Sequence, residues 1–201
     1  MAATETIRTA VIGVGHLGKY HARICAASPE ITLAGVVDAD AETAQQVGEQ
    51  HDVPSFTSLD DVVGKIDAAH VVVPTQAHHD ITRRLLEAGV HVLLEKPMTT
   101  TVDEADALLA LAREKDRILQ VGHVERFNPA VVGIKRVLTT PIFIEVHRLS
   151  PFNPRGTEVS VVLDLMIHDI DIILHLVRAD VESIDAVGVP VLTDKVDIAN
   201  A

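Results

Sequence analysis

Several residue types are scarce in this 201-residue chain, and each scarcity narrows what it can be. There is one cysteine, Cys25, so no disulfide can form within the chain, and the composition suits a reducing compartment. Cys25 falls mid-helix among apolar residues and reads as a buried structural thiol. Aromatics are few, with four Phe, one Tyr and no Trp. Ala, Val, Ile and Leu therefore carry nearly all of the 47% apolar content, as expected of short parallel strands covered by helices on both faces. Positive charge is in deficit: a formal net charge of −12 argues against nucleic acid as a partner, because phosphate binding wants a basic field. No apolar run approaches the roughly 20 residues of a membrane span. The N-terminus shows no basic segment followed by an apolar block, and repeats and low-complexity stretches are missing. A cytoplasmic protein with no membrane partner is expected.

What is present is a regular alternation. Strands are predicted at Ile7–Gly13, Ile31–Val37, Pro54–Phe56 (short, at an edge), Ala68–Val73, Val90–Leu94 and Ile118–Val121. Helices are predicted from His16 to about Ala27, with Leu17, Tyr20 and Ile24 at helical spacing, then over Ala39–Gln50, His78–Ala88 and Val102–Lys115. This order predicts an α/β Rossmann domain, a doubly wound parallel sheet over residues 1–122. After Gly122 the texture changes. The polar connector His123–Pro129 starts a second region, residues 123–201, with a short helix at Ala130–Leu138 and an alternating strand at Pro141–Leu149. A long apolar helix is predicted at Ser160–Val177, and strands at Val181–Val191 and Val196–Ala199. The last residues, Asp197 to Ala201, carry no turn or cap signal, which predicts a fragment cut inside a strand and an incomplete second domain.

The first strand feeds T-A-V-I-G-V-G-H-L-G-K-Y. Gly13 permits a tight turn, Gly15 leaves room for a pyrophosphate against the backbone, and Gly18 lets the next helix pack closely. The helix N-terminus, with His16 and Leu17, offers N–H groups and partial positive charge. Asp38 ends the second strand about 20 residues after the glycines, where a carboxylate accepts from a ribose 2′-OH and repels a 2′-phosphate. NAD is thus expected over NADP. The alternative is that the Asp38-Ala39-Asp40 group caps the following helix.

Two clusters are candidates for chemistry. Glu95-Lys96-Pro97 leaves the C-terminal end of a parallel strand, where open α/β sheets bind ligands; a solvated loop lysine is the alternative. On the second-region helix, Asp164, His168, Asp171 and His175 recur at i, i+4, i+7 and i+11, which puts them on one α-helical face. The options there are a catalytic pair, a solvated surface stripe, or a metal site shared by Asp and His; no metal is expected. Pro74, Thr75 and His78 follow a strand end and could line the nicotinamide half of a cofactor site. His123, Arg126, Asn128, Arg148 and Arg155 lie on connectors and could hold an anionic substrate.

G-V-G-H-L-G, V-V-D, A-G-V-H-V-L-L-E-K-P and D-L-M-I-H-D-I-D together resemble the Gfo/Idh/MocA oxidoreductases. The resemblance covers essentially the whole chain. It implies an NAD(P)-binding Rossmann domain followed by an α+β domain with a large, open, mostly antiparallel sheet, and a homo-oligomer (dimer or tetramer) at full length. It places the family's lysine on Lys96 and its Asp/His pair on Asp164 and His168; Met166 stands where a glycine is frequent. Members commonly exceed 300 residues. Within the family, G-H-V-E-R-F-N-P and S-V-V-L-D-L-M-I-H-D-I-D-I-I-L are most similar to UDP-N-acetylglucosamine 3-dehydrogenases. The implied activity is oxidation of a secondary hydroxyl on a sugar or nucleotide-sugar, with Lys96 and His168 touching substrate. Other sugar or inositol dehydrogenases, and non-catalytic dinucleotide-sensing regulators, are the alternatives, with a metal-dependent hydrolase a third class.

Overall fold

Runs of β-branched residues separated by Ala-, Leu- and Glu-rich stretches set the alternation of elements, because branched side chains suit a pleated surface and unbranched ones a helix. In the computed structural model, which describes residues 6–151, 159–177 and 179–201, the chain divides into two units, Met1–Gly122 and His123–Ala201.

The first unit holds β1 (Ile7–Ile12), α1 (Gly18–Ala27), β2 (Ile31–Val37), α2 (Ala41–His51), β3 (Ser55–Phe56), β4 (Ala68–Val71), α3 (His78–Glu87), β5 (His91–Leu94), α4 (Val102–Glu114) and β6 (Leu119–Val121). All six strands are parallel, in the order β3-β2-β1-β4-β5-β6. This is the doubly wound order, which reverses direction between β1 and β4. Alternate residues of β1 serve opposite faces. Ala10 and Ile12 join Leu85, Leu86, Leu108 and Ala112 under α3 and α4, while Val11 joins Ala22, Cys25 and Val47 under α1 and α2. Both faces are therefore dry. Each large aliphatic side chain, fully buried, contributes about 1.5–3 kcal/mol.

The helix ends follow local chemistry. Asp40 caps α2 through the Thr43 amide at 2.7 Å. Thr101 and Glu104 form a reciprocal capping box on α4. One expectation fails on α1. Leu17, Tyr20 and Ile24 are 49%, 42% and 61% exposed, and the buried residues are Gly18, Ala22 and Cys25. The helix lies so close to the sheet that only small side chains fit beneath it.

The second unit holds α5 (Pro129–Val137), a π-helical turn (Val162–Met166) running into α6 (Ile167–Val177), and an antiparallel pair, β7 (Val187–Val189) with β8 (Ile198–Asn200). The segment 141–149, expected as a strand, has no strand hydrogen-bonded to it among the described residues; Ile142, Phe143 and Leu149 are 101%, 81% and 93% exposed. Alternation marks a half-buried face only when a neighbouring strand completes the ladder.

Candidate active site

Every sequence-predicted site residue of the first unit lies at or just beyond the C-terminal end of a sheet strand. At the exit of β1, Gly13 adopts φ +84°, and a Cβ built there would stand 2.7 Å from the Val72 carbonyl oxygen. The β1 and β4 exits thus touch where the strand order reverses. A Cβ on Gly18 would meet the Gly13 carbonyl oxygen at 1.8 Å, so the turn closes against the start of α1. Gly15 differs: a Cβ there meets nothing within 4 Å, and its neighbours His16 and Leu17 are exposed. Bare backbone beside a helix N-terminus fits a pyrophosphate.

The Asp38-Ala39-Asp40 group divides its work. Asp40 is the cap of α2. Asp38 accepts from the Val14 amide at 2.8 Å and from the Asp40 amide at 3.0 Å, which holds its carboxylate beside the glycine turn.

Lys96 is half-buried at the exit of β5, and the Lys96–Pro97 peptide is cis. Its neighbours do other things than the sequence suggested. Glu95, expected with Lys96 at a ligand-binding strand end, is only 9% exposed and turns toward α1, where His21 Nε2 is 3.1 Å from its Oε1. Its Oε2 accepts from the Lys96 amide at 3.2 Å. Burial pushes this carboxyl up, but the His21 hydrogen bond and charge, with those of Lys96, outweigh it and leave the group below the usual carboxylate range. His78, expected to line the nicotinamide pocket, is 1% exposed; its Nδ1 lies 2.8 Å from the Pro97 carbonyl oxygen and its Nε2 2.9 Å from that of Val73. The ring staples the β4 exit to the Lys96 loop and is closed to a ligand. Pro74 is exposed and Thr75 half-buried on the same β4 loop.

Sequence reasoning missed His21 and His70. Their Nδ1 atoms are 3.1 Å apart, and Cys25 Sγ lies 3.8 Å from the His70 ring. Burial, with the nearby His21, pulls His70 down to about 4, while burial pushes the Cys25 thiol up to about 11. A signal is there: a histidine inside A-A-H-V-V-V, on a strand buried from both sides, must find a polar partner.

In the second unit the polar stripe is no solvated face. Asp171 is buried and Asp164 and His168 are partly buried. The π turn over Val162–Met166 interrupts the α-helical count, so the even i, i+4 spacing does not run from Asp164 to His175. Arg126 grips Asp171 with both Nε (2.7 Å to Oδ2) and Nη2, and His123 Nδ1 stands 3.8 Å from the same carboxylate. Burial pushes Asp171 up, but Arg126 and the nearby histidines hold it below its ordinary value. Arg148 is likewise forked onto Asp169, at 2.7–3.0 Å. His175 Nε2 meets Lys135 Nζ at 2.8 Å, and Asn128 Oδ1 caps α5 by accepting from the Ala130 amide at 3.0 Å. Arg126, Arg148 and Asn128, expected to hold substrate, thus already have partners within the protein. Arg155 lies outside the described residues. Among the described residues, no three His, Cys, Asp or Glu side chains are grouped to hold a metal ion, and no helix is long and apolar enough to cross a membrane.

A doubly wound sheet with bare glycine backbone at its reversal point and an acidic residue at the next strand exit defines a dinucleotide-binding Rossmann protein. The model of an oxidoreductase family with an NAD-binding Rossmann fold, GFO_IDH_MocA, matches residues 7–123, and the chain belongs to this Gfo/Idh/MocA family. It is 42% identical over 196 residues to the UDP-N-acetylglucosamine 3-dehydrogenase of Acidithiobacillus ferrooxidans, covering 97% of this chain and 62% of that one. The solved structure of that enzyme matches with a TM-score of 0.90, over 97% of this chain and 64% of the other. The scyllo-inositol 2-dehydrogenase (NAD(+)) of Bacillus subtilis is 30% identical over 197 residues, 90% of this chain and 57% of the relative. The chain therefore spans about three fifths of these relatives' length.

Proposed function

We propose that the protein is an NAD-dependent oxidoreductase that oxidises a secondary hydroxyl of a sugar or nucleotide-sugar, with C3 of UDP-N-acetylglucosamine the preferred position. The observation that carries this reading is Lys96 at the β5 exit, in the same unit as the glycine turn and Asp38. Likeness to the A. ferrooxidans enzyme over 97% of the chain supports the nucleotide-sugar.

In this reading Gly13, Gly15 and Gly18 shape the pyrophosphate cradle, with His16 and Leu17 beside it. Asp38 accepts from the ribose hydroxyls and disfavours a 2′-phosphate, which makes the cofactor NAD. Pro74 and Thr75 border the nicotinamide half. When bound, NAD supplies the hydride acceptor. Lys96 donates a hydrogen bond to the substrate oxygen as it becomes a ketone. His168 takes the hydroxyl proton, and Asp164 orients its ring and favours the imidazolium.

The test is absorbance of reduced nicotinamide in the full-length protein, with UDP-N-acetylglucosamine and scyllo-inositol offered alongside NAD or NADP. Turnover with the nucleotide-sugar and NAD is expected. The 30% likeness to the inositol enzyme makes turnover of the polyol alone the outcome that redirects the substrate assignment. Binding of NAD without turnover of any alcohol points instead to a dinucleotide sensor.

A further inference from the structure

Behind Lys96 runs a chain of polar side chains that the proposed reaction does not use. It begins at the lysine's own backbone, whose N–H donates to Glu95 Oε2 at 3.2 Å. An ionised Glu95 only accepts, so His21 Nε2, 3.1 Å from Oε1, must carry a proton. His21 Nδ1, on α1, faces His70 Nδ1, on β4, at 3.1 Å, so one of the two nitrogens donates to the other, and Cys25 Sγ lies 3.8 Å from both nitrogens of the His70 ring. His70 thus holds the His21 ring turned so that Nε2 reaches Glu95.

A second contact reaches the other neighbour of the lysine. The buried His78 ring lies 2.8 Å from the Pro97 carbonyl oxygen and 2.9 Å from the Val73 carbonyl oxygen. Lys96 therefore sits between two residues, each bound to an imidazole from a different helix, α1 on one side and α3 on the other. Gly122 closes the space behind Glu95: a Cβ there would come within 2.9 Å of Oε1.

We propose that His21 and His78 are positioning residues for Lys96, fixing its backbone through Glu95 and Pro97 so that its side chain is presented at the strand exits that carry the glycine turn. This rests on the reading of Lys96 as the hydrogen-bond donor to the reacting oxygen. A reacting group displaced by about 1 Å loses on the order of 100-fold in rate, so a loosened loop should act on kcat.

The experiment compares His21→Leu, His21→Gln, His78→Gln and Lys96→Ala in the full-length protein. It measures kcat and KM with UDP-N-acetylglucosamine, and NAD affinity by direct titration. His21→Leu is expected to lower kcat about 10- to 100-fold, with KM and NAD affinity kept within about twofold, which also shows that the turn and sheet are folded. His21→Gln, whose amide nitrogen donates from near the place of Nε2, is expected to recover most of the loss. His78→Gln, which keeps one of the two contacts, is expected to lose less than His21→Leu. Wild-type kcat in both His21→Leu and His78→Gln overturns the proposal. So does an equal loss in the Leu and Gln variants of His21, or a loss confined to KM and NAD affinity, since these mark a merely structural role. If Lys96→Ala itself turns over normally, the underlying assignment of the lysine falls. If Lys96→Ala is inactive while the histidine variants keep full kcat, the positioning claim alone falls.

Discussion

The two units bury opposite kinds of group. In the first, the largest fully buried side chains are Leu85, Leu86, Leu94 and Leu108, and the central strands β1 and β4 carry residues at zero exposure. Among the described residues of the second, the one buried residue is Asp171, a carboxylate. The first unit is thus held by non-directional burial of aliphatic area, which tolerates small shifts. The second is organised by ion pairs (Arg126 with Asp171, Arg148 with Asp169), which are directional and weaken when screened. The contrast fits a division in which one unit supplies a fixed platform for a dinucleotide and the other presents polar groups from a helix.

The comparison breaks at predictable places. The largest effect is expected from Lys96→Ala, which should reduce turnover about 1,000-fold or more, as loss of a preorganised donor does, while NAD titration stays within about twofold. Normal turnover in that variant removes the chemistry from the platform. Next comes the core of the first unit. Leu94→Ala should cost about 2–5 kcal/mol by urea denaturation, whereas Ile142→Ala in the second unit should cost under about 0.5 kcal/mol. Similar costs at both positions would erase the distinction between the units.

Asp171→Asn should cost about 1–3 kcal/mol, because Arg126 loses its charged partner. Measuring it in low and high salt sharpens the contrast, since the Leu94→Ala deficit should be far less sensitive to salt. The smallest effect is the pH dependence contributed by His70, whose partners are His21, Glu95 and Cys25. Its folded value of about 4 lies below the ordinary 6.5, so the unfolded chain binds the proton more readily. That contribution to stability is complete above pH 6.5 and is lost as pH falls from there toward 4, at up to about 1.4 kcal/mol per pH unit. His70→Leu should flatten the profile over that window, and a profile unchanged by the substitution would show that the ring titrates normally.

Much of the platform is legible in the sequence alone. The strand and helix periods, the three glycines and the acidic end of β2 each follow from local sequence, and parallel strands leave few ways to connect them. What is not legible depends on contacts between distant segments. Glu95 stands beside the lysine in sequence, yet its carboxylate turns back to His21, more than 70 residues earlier. His78 reads as a lining residue of a cofactor site until the Pro97 carbonyl is placed against it. The apolar spacing of Leu17, Tyr20 and Ile24 misleads because α1 packs through its small residues. The segment 141–149 alternates correctly but has no neighbouring strand among the described residues. The π turn before α6 leaves no mark in a sequence read at a period of 3.6 residues. Arg126 and Arg148 are candidates to hold substrate because a lone arginine shows its charge, while the aspartates that take it up lie 45 and 21 residues further on.

The contact between Gly13 and the Val72 carbonyl has a consequence for how the protein is made. The nucleotide turn is complete as a sequence by residue 18, yet one wall of it is the exit of β4, some 50 residues later. A ribosome that has released only β1 and α1 has produced the glycines without the surface they press against. The earliest recognisable signature in the chain is therefore not its first finished part: the turn it announces waits for β4, and Lys96, the lysine proposed to act there, for β5.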